Sequence, residues 1–187
     1  MSPPNIKIHN TVRMGQCTVI GEDGFGYDRH GDGTLHLQEH EFGVRLEENV
    51  SIGSHCSVDR GRWRDTSVKS GTKIDDHVHI SHNVIIGKNC IIGAHTTILG
   101  SVEIGDNSEI WSNAVIHQGV KIGKGCAVGA NTYLRHDLLD GMCAYISDKT
   151  GILVVKPISQ TKKYGKEKRE GGSFQEIKFT DSTIDIS

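Results

Sequence analysis

From Val68 onward every sixth residue is aliphatic: Val68, Ile74, Ile80, Ile86, Ile92, Ile98, Ile104, Ile110, Ile116, Ile122, Val128, Leu134. Two residues before each lies a small or β-branched one, from Thr66 and Thr72 through Val78, Val84 and Cys90 to Cys126 and Thr132. The same register appears earlier as Ile8, Met14, Ile20 and again as Leu46, Ile52, Val58. An amphipathic helix repeats near 3.6 and a sandwich strand near 2, so a sustained period of six belongs to neither. Each hexad predicts a short strand with two inward residues flanking one outward residue, then a turn where Gly or Asn accepts a positive φ. Three hexads close a triangular coil of 18 residues, and coils stack as parallel strands about 4.8 Å apart. The pattern predicts an all-β chain, a parallel β-helix of six coils.

Two interruptions break the period, and insertions into a solenoid project as loops. The first runs from Gly21 to Gly43 and is rich in Gly, His and acids; the second is a shorter slip at Arg60-Gly61-Arg62-Trp63-Arg64. Beyond Leu134 the register fades, with Tyr145 to Pro157 read as a final strand region. Residues 1–158 are therefore expected to form the β-helix domain, with its loop insertion at 21–43. Residues 159–187 are read as a polar, partly disordered C-terminal tail. Its basic run Thr161 to Arg169 is either a mobile segment or a patch for an acidic carrier protein or a neighbouring subunit.

Composition removes several classes. In 187 residues, 21 Lys+Arg against 23 Asp+Glu leave a net charge of −2, which gives no push toward nucleic acid. The longest apolar runs are a few residues, so no membrane span is expected, and Met1 to Asn5 does not open a signal peptide. Five cysteines, an odd number with no Cys-x-x-Cys pair, fit reduced thiols in a cytoplasm. Cys90 and Cys126 stand two coils apart at inward positions, beyond disulfide reach, and read as core.

Eleven histidines invite a metal hypothesis. By coil spacing His77 and His95 stack, and His82 and His117 share a corner two coils apart. The β-helical γ-class carbonic anhydrases place a second His five residues after the first, where this chain has Gly87 after His82 and Ile122 after His117. A zinc hydratase is thus a weaker alternative, and no metal site is assigned. The other role is general base: a neutral imidazole at a strand end can take a proton from an attacking amine. His82 suits it, because Gly100 lies 18 residues on and offers an unshielded backbone N–H as an oxyanion donor. A solvated surface histidine is the plainer reading of the spacing.

Gly24-Phe25-Gly26-Tyr27, then Gly53, Val58-Asp59-Arg60-Gly61, Asp65-Thr66, Lys73-Ile74-Asp75 and Ser81-His82-Asn83-Val84-Ile85-Ile86-Gly87 resemble, in order, the UDP-3-O-acylglucosamine N-acyltransferases of lipid A synthesis. The resemblance implies a left-handed β-helix and a homotrimer with its active site in the groove between subunits. It also implies an acyl thioester donor, carried on acyl carrier protein or coenzyme A, with no permanently bound cofactor. The acceptor is expected to be the amine of a nucleotide-linked amino sugar in lipid A or surface-glycan synthesis, or that of an acetyl-CoA-dependent sugar acetyltransferase. His82 becomes the general base and the Gly100 amide the oxyanion donor. Asp75, His79 and Asn83 become substrate-binding residues, with His117 near the place of the family's second histidine, which falls on Gly119. The family's N-terminal uridine-gripping domain has no counterpart before Ile8, so the uracil pocket is expected to be absent or rebuilt from the 21–43 insertion.

Overall fold

The computed structural model describes residues 5–160. Short strands stack into three parallel faces around one core. One face orders Ile6–Ile8, Val44–Leu46, Thr66–Val68, Ile85–Ile86, Glu103–Ile104 and Lys121–Ile122. The second begins at Arg13–Met14 and Ser51–Ile52 and continues through Lys73–Ile74 to Ala127–Val128. The third runs from Val19–Ile20 through Ser57–Val58, His79–Ile80 and Thr97–Ile98 to Tyr133–Leu134. Six coils result, as the period predicts.

The pairing register explains why the six-fold residues are inside. Ile80 pairs with Ile98 and Ile98 with Ile116, so aliphatic side chains form continuous inward columns. Ile86, Ile92, Ile98, Ile110 and Ile116 are fully buried, as are Cys90 and Cys126. The second inward column carries hydroxyls and thiols that bond to the backbone inside the coil: Thr72 Oγ1 donates to the Gly87 carbonyl at 2.7 Å and accepts from the Cys90 N–H at 3.0 Å. Burial raises the Cys56, Cys90 and Cys126 thiols above their ordinary pKa, so these side chains are core rather than reactive groups.

The corners account for several histidines. At one corner Cys17, His55, His77, His95, Asn113 and Asn131 all hold a positive φ between 56° and 60°. Asn and His are among the residues that tolerate this conformation best. His77 and His95 stack at 4.8 Å with rings 1° from parallel, and His55 extends the ladder at 5.1 Å. His55 escapes the 18-residue arithmetic because the slip at 60–64 lengthens that coil, pairing His79 with Ser57. These exposed histidines are turn residues.

Three details differ from the sequence reading. The 21–43 insertion carries its own antiparallel pair, Tyr27–Arg29 with Leu35–Leu37. The final strand region is a hairpin, in which Met142–Ile146 joins the second face beside Ala127–Val128 and turns back antiparallel onto Leu153–Pro157. Ile158–Gln160 is a short 3-10 turn, and the remainder of the expected tail, with its basic run, lies outside the described residues. No helix among the described residues is long and apolar enough to cross a membrane.

Ile98 points inward with no exposure and its neighbour Thr97 points outward. Ile98→Ala is expected to cost about 2–5 kcal/mol in urea unfolding, and Thr97→Ala within about 0.5 kcal/mol.

Candidate active site

One corner of the solenoid gathers the chemistry. Both departures from the period leave from it: the 21–43 insertion follows Val19–Ile20, and the 60–64 slip follows Ser57–Val58. His82 occupies the same corner in the next coil, after His79–Ile80, and Gly100 the coil after that. The ladder of parallel strands therefore stacks insertion, slip, histidine and glycine vertically.

The imidazole of His82 lies against Gly100. A Cβ on Gly100 would fall 2.7 Å from His82 Cε1 and 2.9 Å from Nε2, so the close approach requires glycine. The Gly100 carbonyl accepts from the Gly119 N–H at 2.9 Å, while no group among the described residues takes the Gly100 N–H. The His82 ring and Gly100 are thus adjacent, as the coil spacing predicts. On its other side His82 meets Gly24 of the insertion, where a Cβ would fall 2.9 Å from His82 Cδ2. Trp63 presents its edge to the ring at 6.0 Å between centres, and His40 does so at 5.4 Å.

Asn83 holds this arrangement together. Its backbone takes a φ of 61°, its N–H donates to Thr66 Oγ1 at 2.9 Å, and its Oδ1 accepts from the N–H groups of Arg62 at 2.7 Å and Trp63 at 3.2 Å. With Oδ1 committed, Nδ2 lies 2.7 Å from His82 Nδ1, a hydrogen bond that joins the two side chains. Asn83 is fully buried, and its amide is bonded to the loop and to His82.

The remaining expected residues scatter. His79 faces outward on the same face, bonded through Nδ1 to Ser57 Oγ at 2.7 Å. Asp75 lies on the preceding corner in the chain, outside the His82 cluster, and its Oδ1 accepts from the Asp76 N–H. His117 is two coils from His82, with its ring 6.0 Å from Tyr133. Trp111 points outward and is half exposed. No three His, Cys, Asp or Glu side chains among the described residues are grouped to hold a metal ion.

Sequence reasoning passed over two residues. His40 is buried beside His82, delivered by the insertion, and no repeat arithmetic reaches a loop. Asp59, of the Asp-Arg-Gly motif, is nearly buried, and its carboxyl is pushed up to about 7 by desolvation, against a lowering hydrogen bond from Ser81 and with further raising by Asp23 and Glu22. Asp59 Oδ2 lies 3.8 Å from His79 Nε2, and burial also lowers the His79 pKa, so desolvation disfavours the charged form of both partners. Arg60 of the same motif is buried and its Nε donates to Asp23 Oδ1, which anchors the insertion. Desolvation likewise lowers the His82 pKa, helped by His40 and Arg62.

Comparisons with known proteins place the repeat among characterised sequences and structures. The family model "Bacterial transferase hexapeptide (six repeats)" matches residues 65–100 and 101–136. The chain carries a hexapeptide-repeat domain. It is 33% identical over 143 residues to the Arabidopsis thaliana "Probable UDP-3-O-acylglucosamine N-acyltransferase 2, mitochondrial", covering 73% of this chain and 46% of that protein. A UDP-3-O-acylglucosamine N-acyltransferase from Geobacter is 40% identical over 90 residues, covering 48% of this chain and 26% of the relative. The chain spans less than half the length of these curated relatives. Among solved structures, a UDP-N-acetylglucosamine acyltransferase from Francisella novicida superposes with a TM-score of 0.68 at 23% identity, covering 82% of this chain and 52% of that one. That likeness is one of fold, and the hexapeptide-repeat coil here is the left-handed parallel β-helix.

The Asp59 shift has a sign. A carboxyl at 3.8 when unfolded and about 7 when folded contributes stability that is complete below pH 3.8 and lost as pH rises through 7. Asp59→Asn, which stays neutral at every pH, is expected to melt like wild type at pH 4 and about 3 °C or more higher at pH 8. Calorimetry at the two pH values measures the difference.

Proposed function

We propose that this hexapeptide-repeat protein is an N-acyltransferase that moves an acyl group from a thioester to the amine of a nucleotide-linked amino sugar. The observation that carries the reading is the packing of the His82 imidazole on Gly100, whose N–H has no partner among the described residues. In the reaction His82 takes a proton from the amine as its nitrogen bonds to the thioester carbon. The Gly100 N–H holds the tetrahedral oxyanion, the C–S bond breaks, and the departing thiolate receives the proton from His82. The donor is acyl carrier protein or coenzyme A carrying the acyl chain. Lipid A or surface-glycan synthesis is the setting that the resemblance to the named relatives supports.

The protein acts as a cytoplasmic homotrimer. Asp75, placed on a different corner from His82, then approaches the acceptor from a neighbouring subunit, with His79 and His117 along the same groove. Phe25 and Trp63, exposed at 90% and 53%, offer ring faces beside the site for a nucleobase.

Thiol release from acetyl-CoA and from a medium-chain acyl carrier thioester, each against a panel of nucleotide amino sugars, tests the reading. Release is expected to require a sugar amine, and His82→Ala is expected to lower it by about 10²-fold or more. Turnover within about threefold of wild type in that variant removes His82 from the chemistry. A base must be neutral to act, and the His82 pKa lies below its ordinary 6.5. The rate is therefore expected to rise with pH and level off, with the midpoint of its acid limb below 6.5.

A further inference from the structure

The slip at 60–64 brings Arg60, Arg62 and Arg64 to the corner one coil before His82, and two of these cations are matched. Arg60 Nε donates to Asp23 Oδ1. Arg64 Nη1 meets Glu103 Oε1 at 2.8 Å, and its Nε donates to the Asn83 carbonyl at 3.0 Å. Arg62 differs: among the described residues no carboxylate lies within ion-pair distance of it. Of its five side-chain N–H donors only one has a partner, the neutral Gln38 Oε1, 2.7 Å from Nη1. The carboxylate next along that network, Asp28, accepts from Gln38 Nε2 at 2.6 Å. Arg62 is nonetheless half-buried, and a cation withdrawn from water without a counter-charge is costly to keep.

Its place is fixed from two sides. The Arg62 backbone N–H donates at 2.7 Å to the Oδ1 of Asn83, the residue whose amide nitrogen bonds His82. The guanidinium carbon lies 5.8 Å from the centre of the Trp63 ring, which is itself 6.0 Å from the centre of the His82 ring. Guanidinium and imidazole are thus no further apart than those two spacings together, and the charge of Arg62 is among the causes that lower the His82 pKa. An indole ring steadies a cation without cancelling its charge. Position along the coil axis decides what that charge faces. The slip belongs to the coil before His82 and Gly100 to the coil after it. With a thioester carbonyl at the Gly100 N–H, the slip lies on the opposite side of the base, where the acceptor enters.

We propose that Arg62 binds the diphosphate of the acceptor, a sugar linked to a nucleoside diphosphate, at the corner that carries the His82 base. A guanidinium fork matches phosphate oxygens, and its unused N–H groups supply the donors. In such an acceptor the diphosphate stands a few bonds from a sugar amine, so a cation close to the base, but not on it, suits the pair. Trp63 follows Arg62 in the chain, which lets consecutive residues of the slip meet base and diphosphate. The identity of the acceptor rests on the acyl-transfer reading; the phosphate site does not.

Calorimetric titration of the full chain with UDP, and separately with coenzyme A, which carries a diphosphate of its own, tests the site. Arg62→Gln is expected to weaken UDP binding about tenfold or more and to leave any coenzyme A binding within about twofold. Arg62→Lys, which returns the charge without the fork, is expected to recover part of the loss. In turnover, Arg62→Gln is expected to raise KM for the nucleotide sugar about tenfold with kcat within about threefold. Unchanged UDP affinity in Arg62→Gln, no recovery in Arg62→Lys, or equal losses for UDP and coenzyme A overturn the proposal. So does a wild type that takes up no UDP. A wild type that binds UDP through Arg62 yet releases no thiol with any sugar amine upholds the phosphate site and removes the acyl-transfer reading alone.

Discussion

Each strand here finds its hydrogen-bond partner in the adjacent coil, and that single requirement governs everything else in the molecule. The Thr97 N–H bonds to the Ala114 carbonyl at 2.9 Å, Thr97 itself pairs with His79, and the same step recurs up all three faces. A parallel ladder of two-residue strands tolerates no slippage, because moving one residue would send Ile98 outward and Thr97 into the core. Extra chain can therefore leave only at a corner and must return to the same corner.

The candidate site is a direct result. Insertion, slip, His82 and Gly100 are four successive occupants of one corner, separated by one strand spacing each. What the fold supplies is a rigid vertical scale, and what the loops supply is enclosure: Gly24 and His40 cover one side of the imidazole, and Trp63 presents its edge to it. Enclosure favours neutral groups. Asp59 is pushed upward, His79 and His82 downward, each chiefly by desolvation, while the buried cation Arg60 is matched by Asp23. Under the acyl-transfer reading proposed above, an amine entering such a place loses its own preference for charge, which suits a nucleophile that must arrive unprotonated.

The coil itself was legible in the sequence because period six is a property of every layer, and with it came the neighbourhood of His82 and Gly100. The stacking of His77 on His95 followed from the same number. His55 did not, since its distance from His77 is 22 residues and the extra four lie in the slip. Asn83 entered the sequence reading as a substrate contact through the family resemblance; its buried amide, bonded to the Arg62 and Trp63 N–H groups, depends on a loop path that no periodicity encodes. His40 was hidden for the same reason. Asp59 stood in a motif noticed for its order, but its raised pKa depends on acids brought over by the insertion.

A stack of equivalent layers has no inherent length, since the last coil offers the next one the same unpaired edge that built it. The hairpin of Met142–Ile146 and Leu153–Pro157 ends that regress on one face by reversing strand direction, so its outer strand no longer displays the parallel pattern that another coil would match. It acts as a stop mark in the architecture: the number of layers is set there, by two five-residue strands, and end-to-end joining of one solenoid onto another is discouraged at that edge.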